Sequence, residues 1–98
     1  MSADEERFGR VPSLACTMMG GVQYLFFFVN GRGASVIRHR GSYGGKRGLW
    51  ELAVLLINPR GWELDYTTGI TDDVLGNLEE PEVVELLDRI RALPDAPL

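Results

Sequence analysis

GASVIRHRGSYGGKRGLWELAVLLINPRGWELDY, residues 33–66, reads as three consecutive strands, over 34–40, 49–57 and 62–66. The middle one decides the fold. Trp50, Leu52, Val54 and Leu56 share one face by the two-residue period of a strand, and Leu49, Ala53, Leu55 and Ile57 share the other. A strand apolar on both sides needs cover on both sides, so the rest of the chain is judged by what it can lay against this one.

Working outward, Asn58-Pro59-Arg60-Gly61 makes the turn into the strand over 62–66. On the other side, residues 41–48 form a basic loop with four glycines in eight positions. Upstream, the aromatic and β-branched run over 22–29 predicts a further strand. Asn30-Gly31 accepts positive φ and predicts a hairpin into the strand over 34–40. Downstream, Thr71 followed by Asp72 and Asp73 predicts a short helix that stops at Gly76-Asn77. A longer helix is predicted from Pro81, with acids at its start, Arg89 and Arg91 near its end, and Pro94 closing it. Val83, Leu86, Leu87, Ile90 and Leu93 give it one apolar stripe, and the Trp50 face is the natural surface for that stripe.

The expected fold is α+β: a four-stranded antiparallel meander with a short and a longer C-terminal helix packed on one face. A small β-barrel with a C-terminal helix is the alternative, because so apolar a sheet can curl on itself. Residues 1–20 are expected to be a flexible extension, 21–94 a single domain and 95–98 a tail. The 98-residue length suits one domain.

The net charge of −4 does not suggest a general polyanion binder. The charge is uneven, however. Residues 30–50 hold five Lys/Arg and no acid, whereas 51–98 hold eleven acids and three arginines. The two halves could neutralise each other within the fold, which is the commoner outcome. A single cysteine, Cys16, fits a reducing cytoplasm. The run over 22–29 is too short to span a bilayer, and no export core precedes Cys16, so no membrane partner is expected. His39 is the only histidine and no Cys/His pair has zinc spacing, so neither a metal nor another cofactor is expected.

The glycine loop does not satisfy a phosphate-binding motif. Arg40 stands where the first glycine of a P-loop belongs, Lys46 precedes Arg47 instead of Ser/Thr, and a strand follows. Cys16 and His39 are the only thiol–imidazole pair, and nothing in the sequence brings them together. Asp72 and Asp73 are better explained as first-turn helix acids than as a catalytic carboxylate pair. No enzyme is expected, since nucleophile, base and oxyanion donor cannot all be named. Arg38, Arg40, Tyr43, Lys46 and Arg47 are instead candidate residues for binding a partner or nucleic acid, with Tyr43 as a stacking group.

Three stretches carry a resemblance: NGRGASVIRH at 30–39, SYGGKRGLWELAVL at 42–55 and DYTTGITDDVLG at 65–76. Together they resemble a family of small proteins of unassigned activity encoded by tailed phages of actinobacteria. Where relatives read Tyr-Asp-Thr-Pro-Ile-Thr, this chain has YTTGIT at 66–71, a looser turn. The resemblance transfers no functional residue. It implies a setting, a small phage protein in the host cytoplasm, where binding a host or phage protein is a common role.

The expected function is therefore a non-enzymatic protein-binding module, with nucleic-acid binding through the basic hairpin as the second reading. Self-association is expected from a count of cover. The docking helix shields one face, leaving Leu49, Ala53, Leu55 and Ile57 and part of the 22–29 strand on the other. Three things could cover that face: the 11–19 segment, curling into a barrel, or a second copy in a homodimer.

Overall fold

A computed structural model of the chain describes residues 5–71 and 73–97. It is an α+β fold, a curled antiparallel sheet amounting to half a barrel with one C-terminal helix packed against it. The strands are β1 (Leu14–Met18), β2 (Gly21–Phe27), β3 (Arg32–Arg38), β4 (Trp50–Asn58), β5 (Gly61–Leu64) and β6 (Leu75–Leu78), and the helix α1 is Glu80–Arg91. β1 to β5 lie in sequence order. β4 is long enough to pair β5 along its second half and β6 along its first, at Trp50 and Leu52.

Two expectations are corrected. Residues 1–20 are not all a flexible extension: Leu14–Met18 forms β1, and Phe8 is buried in the core. The charge-poor 14–18 run pairs with β2 through a two-residue turn, Met19-Gly20, which the glycine pair at 20–21 disguises as a simple break. The short helix after Thr71 does not form among the described residues. β6 takes its place, because β4 has an unpaired first half to offer and the Gly76-Asn77 pair can follow a strand. Asp72 lies outside the described residues. Thr71, expected as a helix cap, is buried, and its hydroxyl has no partner among the described residues.

The longer helix forms as the stripe predicts. Val83, Leu86, Leu87 and Ile90 are buried against Tyr24, Phe26, Ala34, Val36, Leu52 and Val54. Pro81 stands in its first turn and the Glu82 carboxylate accepts the Glu79 N–H at 3.0 Å, closing the N-terminus. Trp50 is buried in the same cluster, with its ring edge-on to Phe8 at 4.9 Å between centroids and tilted to Tyr24 at 5.9 Å. Phe8 thus joins the core cluster at Trp50, also edge-on to Tyr24 and Phe26 at 6.3 Å.

Asn30 fixes the other end of the helix. Gly31 takes φ 78°, as the hairpin predicts, and turns the chain so that the buried Asn30 side chain points at α1. Its amide donates to the carbonyls of Ile90, Arg91 and Leu93 at 2.9, 3.2 and 3.1 Å. Its own carbonyl oxygen, Oδ1, accepts the Arg32 N–H at 3.0 Å. The last turn of a helix leaves carbonyls without intrahelical donors, and the two N–H groups of this side chain are shared between Ile90 and Arg91 of that turn and Leu93 just beyond it.

Candidate functional site: an uncovered sheet face and a basic loop

The pairing register assigns every strand residue to a face. Opposite the helix lie Leu14 and Cys16 of β1, Leu25 and Phe27 of β2, Ala53, Leu55 and Ile57 of β4, and Trp62 and Leu64 of β5. Leu25 and Leu55 are buried, yet neither belongs to the cluster under α1. Around them Phe27, Trp62 and Leu64 stay 37%, 41% and 48% exposed. Leu55 is opposite Leu64 and Ile57 opposite Trp62, so large side chains stand in cross-strand pairs. Polar groups bound this area at the other end of the strands, where Gln23 donates to the Ser35 hydroxyl at 3.1 Å and Glu51 accepts the Tyr43 N–H at 3.2 Å.

Of the four residues expected in self-association, the structure brings Ala53, Leu55 and Ile57 together on this face. Leu49 sits just before β4, half-buried beside the glycine loop. Ala53 and Leu55 form the floor of the apolar area, so a partner meets Ile57 and the rim. Of the rim, Phe27 belongs to the part of the 22–29 strand expected on this face, whereas Leu14, Trp62 and Leu64 were missed in the sequence. Trp62 and Leu64 carry the period-two signal, but it points at this face only once their register with β4 is known.

The basic loop is ordered by contact with β6. The Asn77 N–H donates to the Tyr43 carbonyl at 3.2 Å, and Arg47 donates to the Asn77 side chain. Gly44 has φ 82°, and a Cβ there would meet Asn77 Oδ1 at 2.8 Å and the Leu49 Cβ at 2.9 Å. Gly44 and Gly45 therefore serve close packing, Gly45 against the His39 carbonyl, whereas Gly48 takes φ 75° with open space around it. Arg38 lies on the helix side, its guanidinium 4.1 Å from the Trp50 ring centroid and bonded to the Gly48 carbonyl at 3.3 Å. Arg40, Tyr43, Lys46 and Arg47 are exposed. Among the described residues none of Arg38, Arg40, Lys46 or Arg47 pairs with a carboxylate. Among the described residues, the expected neutralisation of one half by the other is confined to Arg32, which meets Asp65 at 3.0 Å.

That pair ties β3 to the segment after β5. Arg32 also donates to the Pro94 carbonyl at 3.2 Å, and Asp65 accepts the Thr67 hydroxyl at 2.6 Å and the Thr67 N–H at 2.9 Å. Burial alone would raise the Asp65 carboxyl. The Thr67 bonds and the Arg32 charge outweigh it and hold Asp65 below the usual carboxylate value.

An open cleft of about 500 Å³ beside Trp50 is lined by Arg7, Tyr24, Arg38 and Glu79, with no nucleophile and base set against each other. Cys16 is exposed on β1, and the His39 Nδ1 accepts the Gly41 N–H at 2.9 Å, a local turn contact. Among the described residues no group of three His, Cys, Asp or Glu is placed to hold a metal ion, and no helix is long and apolar enough to cross a membrane. Comparison of the chain with protein-family models, characterised proteins and solved structures finds no match.

Proposed function

We propose that this chain is a non-enzymatic protein-binding module that self-associates and holds a host or phage protein on its uncovered sheet face. The setting is the one implied by the likeness to small proteins of tailed actinobacterial phages. The observation that carries the reading is the apolar area of Phe27, Ile57, Trp62 and Leu64 over the buried Leu55, on the side of the sheet away from α1. Partly exposed aromatic and aliphatic side chains over a firm floor are what a protein interface is built from. The test is capture from host lysate by the parent chain and by a Phe27→Asp/Leu64→Asp variant, followed by binding measurements with the purified candidate. The purified partner should bind the parent and lose most of its affinity for the variant. Equal affinity for both would contradict this use of the face.

Binding of nucleic acid is the second reading, favoured by Arg40, Lys46 and Arg47 being exposed with no carboxylate partner among the described residues. It requires affinity for duplex or single-stranded DNA that falls steeply as salt rises and weakens in a Lys46→Ala/Arg47→Ala variant. Undetectable binding at low salt removes it.

A further inference from the structure

β1 is the outermost strand on one side of the sheet. Its sequence, Leu-Ala-Cys-Thr-Met, is free of charge, as is every position from 11 to 31. Sheet edges are usually defended by charge, proline or a bulge, which stop another strand from pairing there. β5, on the opposite edge, is four residues long with Glu63 inside it and Pro59, Arg60 and Asp65 beside it. β1 has Pro12 two residues before it, as β5 has Pro59, but no charged residue within it or directly beside it.

The turn that follows β1 determines which of its backbone groups point outward. Met19 has φ 48° and Gly20 φ 79°, the two positive values of a type I′ turn. Such a turn makes its flanking residues, Met18 and Gly21, a pair that exchanges both hydrogen bonds. Bonds alternate along an antiparallel ladder, so Cys16 and Leu14 also bond inward, to Gln23 and Leu25. Ala15 and Thr17 therefore turn their N–H and C=O groups away from β2. Among the described residues, no turn or loop backbone group bonds to either of them.

We propose that β1 pairs antiparallel with β1 of a second copy of this chain, across a two-fold axis at Cys16, joining two sheets into one. This rests on the self-association reading above and names the element that performs it. The register follows from the outward groups. An axis at Cys16 sets Ala15 opposite Thr17 of the partner subunit and Thr17 opposite the partner's Ala15, and each of these pairs exchanges two bonds. All four outward donors and all four outward acceptors of the two strands are then used. An axis at Ala15 or Leu14 would require Ser13, whose N–H already bonds the Leu25 carbonyl at 2.8 Å. An axis at Thr17 or Met18 would require Met19, which is in the turn. The joined sheet keeps the two uncovered faces on the same side, so a partner protein would meet one continuous surface.

The register has a chemical reporter. Cys16 becomes a pair without mutual hydrogen bonds, with Cα atoms about 4.5 Å apart. That lies inside the range a disulfide spans, roughly 4.4–6.8 Å. Diamide should link the chains: two Cys16 thiols give up two protons and two electrons to its N=N bond, which becomes a hydrazine as the S–S bond forms. The parent chain should yield a covalent dimer on a non-reducing gel, and Cys16→Ser should not. Ala15→Pro removes an outward N–H from each strand and leaves the β1–β2 bonds intact. It should stay folded by circular dichroism and dissociate on the order of 30-fold more readily, two bonds having been lost. Cys16→Lys sets two ammonium groups across the axis and should be monomeric where the parent is dimeric, with dimers restored on mixing with Cys16→Glu. Trp62 is on the far edge strand, so in a Trp50→Phe background its emission should not change as the dimer is diluted apart. A dimer that resists all these changes, gives no Cys16 link and shifts Trp62 emission on dilution would overturn β1 pairing and leave self-association standing through the face. A parent chain that is monomeric at every concentration would overturn both.

Discussion

On the helix side of the sheet, Val36, Leu52 and Val54 are fully buried beneath α1, and Phe8 seals the Trp50 end. On the other side Leu55 is just as buried, while Phe27, Trp62 and Leu64 on the same face stand 37% to 48% exposed. One face is finished by elements of the chain, and the other presents a finished floor with an open rim. Low exposure of a central strand residue therefore does not mean that its face is covered. A substitution at the floor tests folding, and a substitution at the rim tests binding.

The largest effect should come from the sealed face. Trp50→Ala removes the ring that joins Phe8, Tyr24 and Arg38 and should cost about 3–5 kcal/mol in a denaturation experiment. A variant that melts with the parent would mean the core is not closed at that end. Next in size is the helix clamp. Asn30→Ala leaves the Ile90, Arg91 and Leu93 carbonyls without the side-chain donor they share and should cost roughly 1–3 kcal/mol. Hydrogen exchange should show its loss first in the last turn of α1.

Asp65 should contribute through pH. Its carboxyl is held below the usual value in the folded chain, so its contribution is complete above the unfolded carboxylate value of about 3.9 and is lost as pH falls through the lower folded value. Stability of the parent should therefore fall below about pH 4 more steeply than that of Asp65→Asn. Parallel profiles would remove Asp65 from the acid response. The smallest stability effect belongs to the rim: Leu64→Lys should change stability by about 0.5 kcal/mol or less. Leu55→Lys, one strand away, would bury a charge and should fail to fold. Equal costs at the two positions would erase the distinction between floor and rim.

Much of the sealed face was legible in the sequence. The alternation in β4 and the Val83, Leu86, Leu87, Ile90 stripe each have one periodicity, and both pointed to the same interface. Three features were not legible. The sequence presents Asn30 only as half of a turn, and its amide finds the end of α1 only through the tertiary fold, sixty residues on. Phe8 sits in a polar stretch with no period, so its burial had no local signal. β6 lies in a segment with good helix-starting residues, and the empty half of β4 overrode that local preference. For the candidate site, the β4 residues were legible because both faces of that strand were visibly apolar. Of the rim, Phe27 lay within the expected 22–29 strand, whereas Leu14, Trp62 and Leu64 were not legible, because a short edge strand shows its face only through its pairing.

The charge-free edge at β1 should join this chain to a copy of itself, leaving the open face for another protein. Light scattering coupled to size exclusion, at tens of micromolar and in reducing buffer, tests it most directly. The expected result is a species of twice the 10.9 kDa chain mass that dissociates on dilution. A single species at the chain mass throughout that range would contradict it.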